Sequence, residues 1–514
     1  MAISEDIFQL IRSMSRAEKA YFRRYAKMSA GGKQLTYLRL FDEIAALAKK
    51  NKTYNENLLK KNIGDKTANH FPVIKNNLYN LAIDSLCAYR VKQTPEEKVR
   101  VLIEQYDSLY SKALFKQCRT ILKKAIRIAS ENELLTYHYL LLGRERVLAR
   151  YSQDINAFDK TISKIYAGQY EIIDKIKNNI EVTNLSDMFT SILQKNPTGF
   201  ARNSEDLDEV QAFMSHPLLA DENKILTTEA LSNFLTFKTL FCQYNKDYEG
   251  ALSASKRRME ITEERFSFDK SRLGAYIISI YGVLVNAIRT KRIGDYNEAY
   301  CKLKNLAVLF PKMSDRNRID LFYYSAIPEL SLCNETLDMK RGMASYVEIK
   351  SDYEKFEHKI PIQQKIILLF FIAIFNFVRE DFNESSIWLG RLINMPNVDL
   401  SQDYQCYARI VNLVVHYELG NIDLLEYALK STYHYLSKRK KAYLYEKIVL
   451  DYLRRSFRVK TKEGLIELFA LMRNDLLKIK DDPYEQSAFD AFNLIPWLDS
   501  KIENITFLEA ARKH

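Results

Sequence analysis

The sequence predicts an all-α fold: a superhelical array of antiparallel helix pairs behind an N-terminal helical head domain. Three observations lead there. Glycine and proline are scarce, 14 and 10 in 514 residues, which disfavours strand-and-turn folds that need frequent turn residues. A helix–turn–helix grammar recurs with a period of about 40–50 residues. Apolar residues make up 47% and charged residues 28%, a composition that can bury a core and is inconsistent with bulk disorder.

The head spans residues 1–94. Ser15 and Glu18 form a capping box for a helix carrying Tyr21, Phe22 and Tyr25, and Gly31 and Gly32 break it. Leu38, Phe41, Ala45 and Ala48 stripe the next helix. Residues 55–61 suit a short one, and Phe71, Ile74, Leu78, Leu81 and Ser85 line a last. The hydrophilic run VKQTPEEK follows, in which Pro95 with Glu96 and Glu97 reads as a helix start and a boundary.

Residues 95–514 carry the repeats, and RIGDYNEAYCKLKNLAVLFP, residues 292–311, is their clearest statement. Gly294 is read as the left-handed residue that ends one helix. Asp295 is read as the cap of the next, with Glu298 completing a capping box. Tyr296 closes over the turn, Ala299 is small enough for close helix crossing, and Pro311 prevents further helix. The same grammar, an Asp or Asn cap and then a bulky apolar residue, stands at Asp154, Asp206, Asp247, Asp338, Asp381-Phe382 and Asn421. With Asp295 included, the separations are 52, 41, 48, 43, 43 and 40 residues. A further unit at Leu114-Phe115 lacks the acidic cap.

Gly-Asp-Tyr at the turn, Ala four residues after the Asp and a closing Pro resemble the second half of a tetratricopeptide unit, although the spacing exceeds that family's 34 residues. The resemblance implies a tetratricopeptide-like α-solenoid of about 8–9 hairpins. Each hairpin has an apolar face that only its neighbours can bury. It also implies a peptide groove lined by the first helix of each unit. If Glu380 takes the place of the turn glycine, the groove positions become Phe370, Ile374 and Phe377, which cannot clamp a carboxylate. Either an apolar ligand lies there or neighbouring helices fill the groove, and continuous apolar helices favour filling. The segment from Ser15 to Phe22, Ser-x-x-Glu-Lys-x-Tyr-Phe, is similar to the opening of certain bacterial helical-repeat proteins, a resemblance that implies no activity.

Positive charge is concentrated. Residues 1–95 hold 17 basic and 8 acidic side chains and residues 434–462 hold 10 and 2, so the remainder is net negative although the chain is +12. In the head, Lys60, Lys61 and Lys66 are candidate phosphate contacts, Asn69, Lys75, Asn76 and Asn77 could reach base edges, and Arg23 and Arg24 are further candidate contacts to nucleic acid or an acidic partner. The alternative is a solvated basic face on a capping bundle, and the long stretch from Asn62 to Pro72 favours it over a helix-turn-helix. The second cluster is Lys438, Arg439, Lys440, Lys441, Arg454, Arg455 and Arg458, interleaved with Tyr433, Tyr435, Tyr443, Tyr445 and Tyr452. It could meet an acidic protein or stack single-stranded bases. At helical spacing, tyrosines pointing inward and cations facing water is the favoured reading.

Nothing points to chemistry. There is no glycine-rich phosphate loop, no His-Glu-x-x-His and no nucleophile elbow, and the seven histidines are scattered. No catalytic residue, cofactor or metal is expected. The six cysteines lack a Cys-x-x-Cys pair and suit buried thiols in a reducing cytoplasm. No secretory signal is read at the N-terminus, and the apolar runs at 275–288 and 366–378 read as core helices rather than membrane spans. The expected function is a non-enzymatic scaffold that mediates protein–protein interaction. The alternative is a nucleic-acid-binding regulator with a basic head and a partner-sensing array, similar in domain order to bacterial regulators that join a helix-turn-helix to tetratricopeptide repeats.

Overall fold

The computed structural model describes residues 3–29, 34–49, 54–63, 70–90, 94–151, 155–195, 208, 210, 213, 216–396, 402–438, 443–482 and 484–514. Every regular element among the described residues is helical. The chain divides into two compact units, Met1–Ile176 and Lys177–His514.

In the first unit, α1 (Ile3–Ser13), α2 (Arg16–Ser29), α3 (Gln34–Lys49), α4 (Glu56–Ile63) and α5 (Phe71–Arg90) enclose one core that includes Ile7, Ile11, Phe22, Phe41, Leu59, Phe71 and Leu78. The ring of Phe22 stacks on Phe41 at 4.1 Å. The expected capping box at α2 is present: Glu18 N–H donates to Ser15 Oγ at 3.2 Å and Ser15 N–H to Glu18 Oε2 at 2.7 Å. A second box, Thr94 with Glu97, starts α6 (Pro95–Tyr110). That helix, α7 (Phe115–Glu131) and α8 (Leu135–Ala149) form another core around Val99, Cys118, Leu122 and Leu141. The helix α9 (Ile155–Lys195) begins in the first unit and ends in the second.

After the short α10 (Pro217–Ala220), the second unit is a run of antiparallel pairs: α11 (Thr228–Tyr244) with α12 (Tyr248–Phe268), α13 (Leu273–Arg289) with α14 (Ile293–Leu309), α15 (Asp315–Thr336) with α16 (Met339–Phe356), α17 (Ile362–Val378) with α18 (Phe382–Ile393), α19 (Gln402–Glu418) with α20 (Ile422–Lys438) and α21 (Leu444–Ser456) with α22 (Lys462–Ile479). The short helices α23 (Gln486–Ala491), α24 (Ile495–Glu503) and α25 (Phe507–Ala511) end the chain. From α13 onward, the first helix of each pair packs on the first helix of the next.

The first five pairs share one turn. Lys246, Lys291, Leu337, Glu380 and Gly420 are left-handed, at φ 62°, 56°, 54°, 62° and 66°, and stand 45, 46, 43 and 40 residues apart. In four of these turns the next N–H reaches back to a carbonyl five residues earlier, for example Arg292 to Ala287 at 2.9 Å and Asp381 to Asn376 at 2.9 Å. This is the Schellman closure that satisfies a helix C-terminus. Counted from this turn, the fourth residue of each second helix is buried: Ala251, Tyr296, Gly342, Ser385 and Leu425.

That register corrects the reading of residues 292–311. Lys291, not Gly294, is left-handed, and Gly294 is the second residue of α14. Asp295 makes no cap, and no side chain caps α14; its carboxylate instead pairs with Lys256 of the preceding pair at 2.7 Å. Glu298 therefore completes no box with it. Tyr296 and Ala299 are buried as expected, and α14 stops two residues short of Pro311. Asp247, Asp338 and Asp381 do cap their helices, accepting from the N–H of Gly250, Arg341 and Glu384, and Phe382 opens α18. Asp154 and Asp206 lie outside the described residues.

Successive second helices are tied by ion pairs: Lys302–Glu263 at 3.0 Å, Lys304–Glu348 at 2.7 Å and Lys350–Glu384 at 2.7 Å. The apolar run at Lys270–Arg289 is long and apolar enough to cross a membrane by length and composition. It coincides with α13, where Ile277, Ile280 and Leu284 are fully buried.

Candidate interaction surfaces

The first-helix face is filled at α17. Phe370, Ile374 and Phe377, the expected groove positions, are all buried. Phe370 packs edge-on against Tyr404 of α19 at 5.4 Å, while Phe377 meets the rings of Phe382, Phe492 and Phe507 at 5.4, 4.9 and 5.5 Å. Phe492 and Phe507 belong to the chain's own last thirty residues. Polar contacts seat the same segment. Phe507 N–H donates to Glu380 Oε1 at 3.0 Å, Asp490 pairs with Arg289 at 2.9 Å, and Lys501 pairs with Glu418 at 2.6 Å. Glu485 accepts from the N–H groups of Leu444 and Tyr445, serving the N-terminus of α21. Glu380 takes the left-handed place proposed for it, and at α17 the face that a peptide would use is closed by neighbouring helices and the C-terminal segment.

An open cleft lies elsewhere, between α14 and α16 over α15. It encloses about 550 Å³, and Phe310, Phe322, Ile349 and Phe356 form an apolar floor. Local sequence builds it. Pro311 ends the run Val308-Leu309-Phe310 so that Phe310 turns inward. Val308, which lines the cleft, and its neighbour Leu309 stay 78% and 67% exposed. At the rim Lys304 pairs with Glu348 at 2.7 Å and Lys355 lies 3.6 Å from Asp352. Arg318 donates to the Pro311 carbonyl at 2.8 Å, and no carboxylate partners it among the described residues. Apart from Pro311, none of these residues was singled out from the sequence. The available signal was an apolar run, Val308-Leu309-Phe310, directly before a proline.

The expected charged contacts are dispersed. Lys75, expected to reach a base edge, is 7% exposed and its ammonium is held by Glu56 at 2.7 Å. Glu56 also takes Lys60 at 2.9 Å, and both ammonium groups sit over the Phe71 ring. The bond from Lys75 above all, with Lys60 adding to it, holds the Glu56 carboxyl below its ordinary range against the opposing effect of desolvation. Arg23 pairs with Asp42 at 2.8 Å, whereas Arg24, Lys61 and Asn76 are exposed. Asn77 donates to the Tyr37 hydroxyl at 3.3 Å. Lys66, Asn69, Arg439, Lys440 and Lys441 lie outside the described residues. Lys438 and Arg458 are exposed, and Arg454 and Arg455 share Asp451 at 2.9 and 3.7 Å. Tyr435, Tyr445 and Tyr452 are buried; Tyr445 donates to the Phe492 carbonyl and Tyr452 to Asp475, both at 2.6 Å. Those three rings are core, not a stacking platform for bases.

Among the described residues no group of three or more His, Cys, Asp or Glu is placed to hold a metal. Comparison with family models, with curated proteins and with solved structures finds no match for this chain.

Proposed function

We propose that this protein is a non-enzymatic helical-repeat scaffold, a tetratricopeptide-like superhelical array whose work is to hold a protein partner in a reducing cytoplasm. The array reading is supported by the shared left-handed turn at 40–46-residue intervals, by the stacking of first helices and by the ion pairs between second helices. The observation that carries the binding role is the cleft. At α17 the usual ligand face is filled by the chain itself, while an apolar-floored opening lined by the exposed Val308 persists between consecutive pairs. Val308 and the charged rim beside it give a partner both apolar and polar groups to contact there.

Site-specific photocrosslinking in the native cell tests the proposal. A benzophenone side chain at Val308 is expected to yield a discrete protein adduct that the same group at Lys430, exposed on α20, does not. Absence of adducts at Val308 and also at the exposed Val347, Ile387 and Tyr427 would remove the scaffold role.

A further inference from the structure

We infer that the cleft between α14 and α16 takes a segment of a partner protein that presents a large aromatic or aliphatic side chain with a carboxylate close beside it in sequence. The inference rests on the scaffold reading and names the partner chemistry for that site.

The floor sets the first requirement. Phe310, Phe322, Ile349 and Phe356 give an open cleft of about 550 Å³ an apolar floor among polar and charged side chains, room for a bulky side chain together with its neighbours in sequence. Aromatic anchors seated in such pockets dominate the energetics of protein interfaces. Val308 and Leu309 extend the apolar surface beyond the mouth.

The rim sets the second. Four of its five charges cancel locally, Lys304 against Glu348 and Lys355 against Asp352. Arg318 is left over. Its guanidinium donates to a neutral carbonyl and has donors to spare, and the adjacent turn adds the exposed Lys312. A carboxylate arriving beside the anchor would find a forked donor already held in place by Pro311, the geometry that suits a bidentate pair. Only Arg318 and the neighbouring Lys312 are left uncompensated, enough for one or two carboxylates and too few to hold the run of phosphates of a polyanion.

The test uses a phage-displayed library of random 12-residue peptides, selected on the full chain, with affinities of the recovered peptides measured by fluorescence polarisation. The expected consensus is an aromatic or large aliphatic residue with Asp or Glu within about three positions. Binding is expected to fall about tenfold or more with Arg318→Glu and with Val308→Lys, to persist with Arg318→Lys, and to be unchanged with Tyr427→Lys. Both positions are exposed, so melting temperatures close to that of the parent are expected and show that the fold is intact. Recovered peptides without an acidic residue, or peptides insensitive to both cleft variants, would overturn the inference while leaving a scaffold that binds elsewhere. Failure to recover any peptide would overturn it as well, and only if crosslinking is also silent does the scaffold reading fall with it.

Discussion

Arg341 and Glu329 form a two-pronged ion pair between α16 and α15: Nε donates to Oε1 at 2.6 Å and Nη2 to Oε2 at 2.7 Å. Glu329 is buried and also accepts from the Tyr296 hydroxyl at 2.9 Å and from Ser345 at 3.1 Å. One carboxylate thus joins α14, α15 and α16. Burial first, and then the Glu329 charge, hold the Tyr296 phenol well above its ordinary range, so it remains a donor. Replacing Arg341 with Met strands a buried charge and is expected to cost about 3–5 kcal/mol in chemical denaturation. Adding Glu329→Gln removes that charge while keeping an acceptor for Tyr296, and should restore a large part of the loss. A single Arg341→Met variant within about 1 kcal/mol of the parent would show that the pair is not buried as described.

The turn register makes three backbone predictions of different sign. Gly294 lies inside α14 with nothing within 4 Å of a built Cβ, so Gly294→Ala should stabilise by about 0.4–1 kcal/mol. Lys291 is a non-glycine residue at φ 56°, and Lys291→Gly should stabilise by up to about 1 kcal/mol by relieving left-handed strain. Gly342 is different. A Cβ there would stand 2.3 Å from the Phe375 ring and 3.1 Å from Cys333, so Gly342→Ala should destabilise by about 1–3 kcal/mol. If Gly294, rather than Lys291, were the left-handed residue, the first two signs would reverse, which thermal melts would show.

Helix content, the Ser15 and Asp381 caps and the apolar face of α17 were legible because each depends on residues within one turn of one another. The start of α14 was not. Gly294-Asp295 is the better local turn signal, yet helix begins three residues earlier than it implies, in the register that buries Tyr296 and delivers its hydroxyl to Glu329, 33 residues away. Glu384 shows the same limit. It stands where a capping-box acid would, but its carboxylate is drawn to Tyr346 and Lys350 on the preceding pair. The cleft and the seating of Phe492 and Phe507 were hidden for a related reason. They join residues up to about 130 positions apart, and no pattern within a single helix records which distant face covers it.

Acidification should weaken the fold in two stages. His138 is held below its ordinary value of 6.5 by burial first and then by Lys175, with Glu171 opposing, and His416 is lowered by burial. A histidine whose folded-state pKa is depressed binds fewer protons folded than unfolded, so stability falls as pH drops below about 6.5 and levels off below the folded value. Carboxylates held low by lysine partners, such as Glu56 and Glu384, lose their contribution only at lower pH, as the pH falls through their depressed values. Melting temperature should therefore begin to decline as pH falls through about 6.5, before the acid limb begins. His416→Gln should flatten that first decline, and an unchanged slope in both His416→Gln and His138→Gln would assign it to other groups.

The Lys75–Glu56 pair separates a structural head from a nucleic-acid-binding one. Lys75 is buried and its charge is spent on Glu56, which is also satisfied by Lys60, whereas Arg24 and Lys61 face solvent. If the head is a packed bundle with a solvated basic surface, Lys75→Met should lower stability by about 1–3 kcal/mol, because a partly exposed carboxylate loses its buried partner. The Arg24→Ala and Lys61→Ala variants should leave stability unchanged. Duplex and single-stranded DNA titrated against the full chain at 50 and 200 mM salt should then show no tight complex, although Arg12, Arg16, Lys27, Arg39 and Lys49 are exposed as well as Arg24 and Lys61. A tight, strongly salt-dependent complex that is weakened by Arg24→Ala with Lys61→Ala while Lys75→Met leaves it intact would establish the nucleic-acid-binding reading over the protein scaffold.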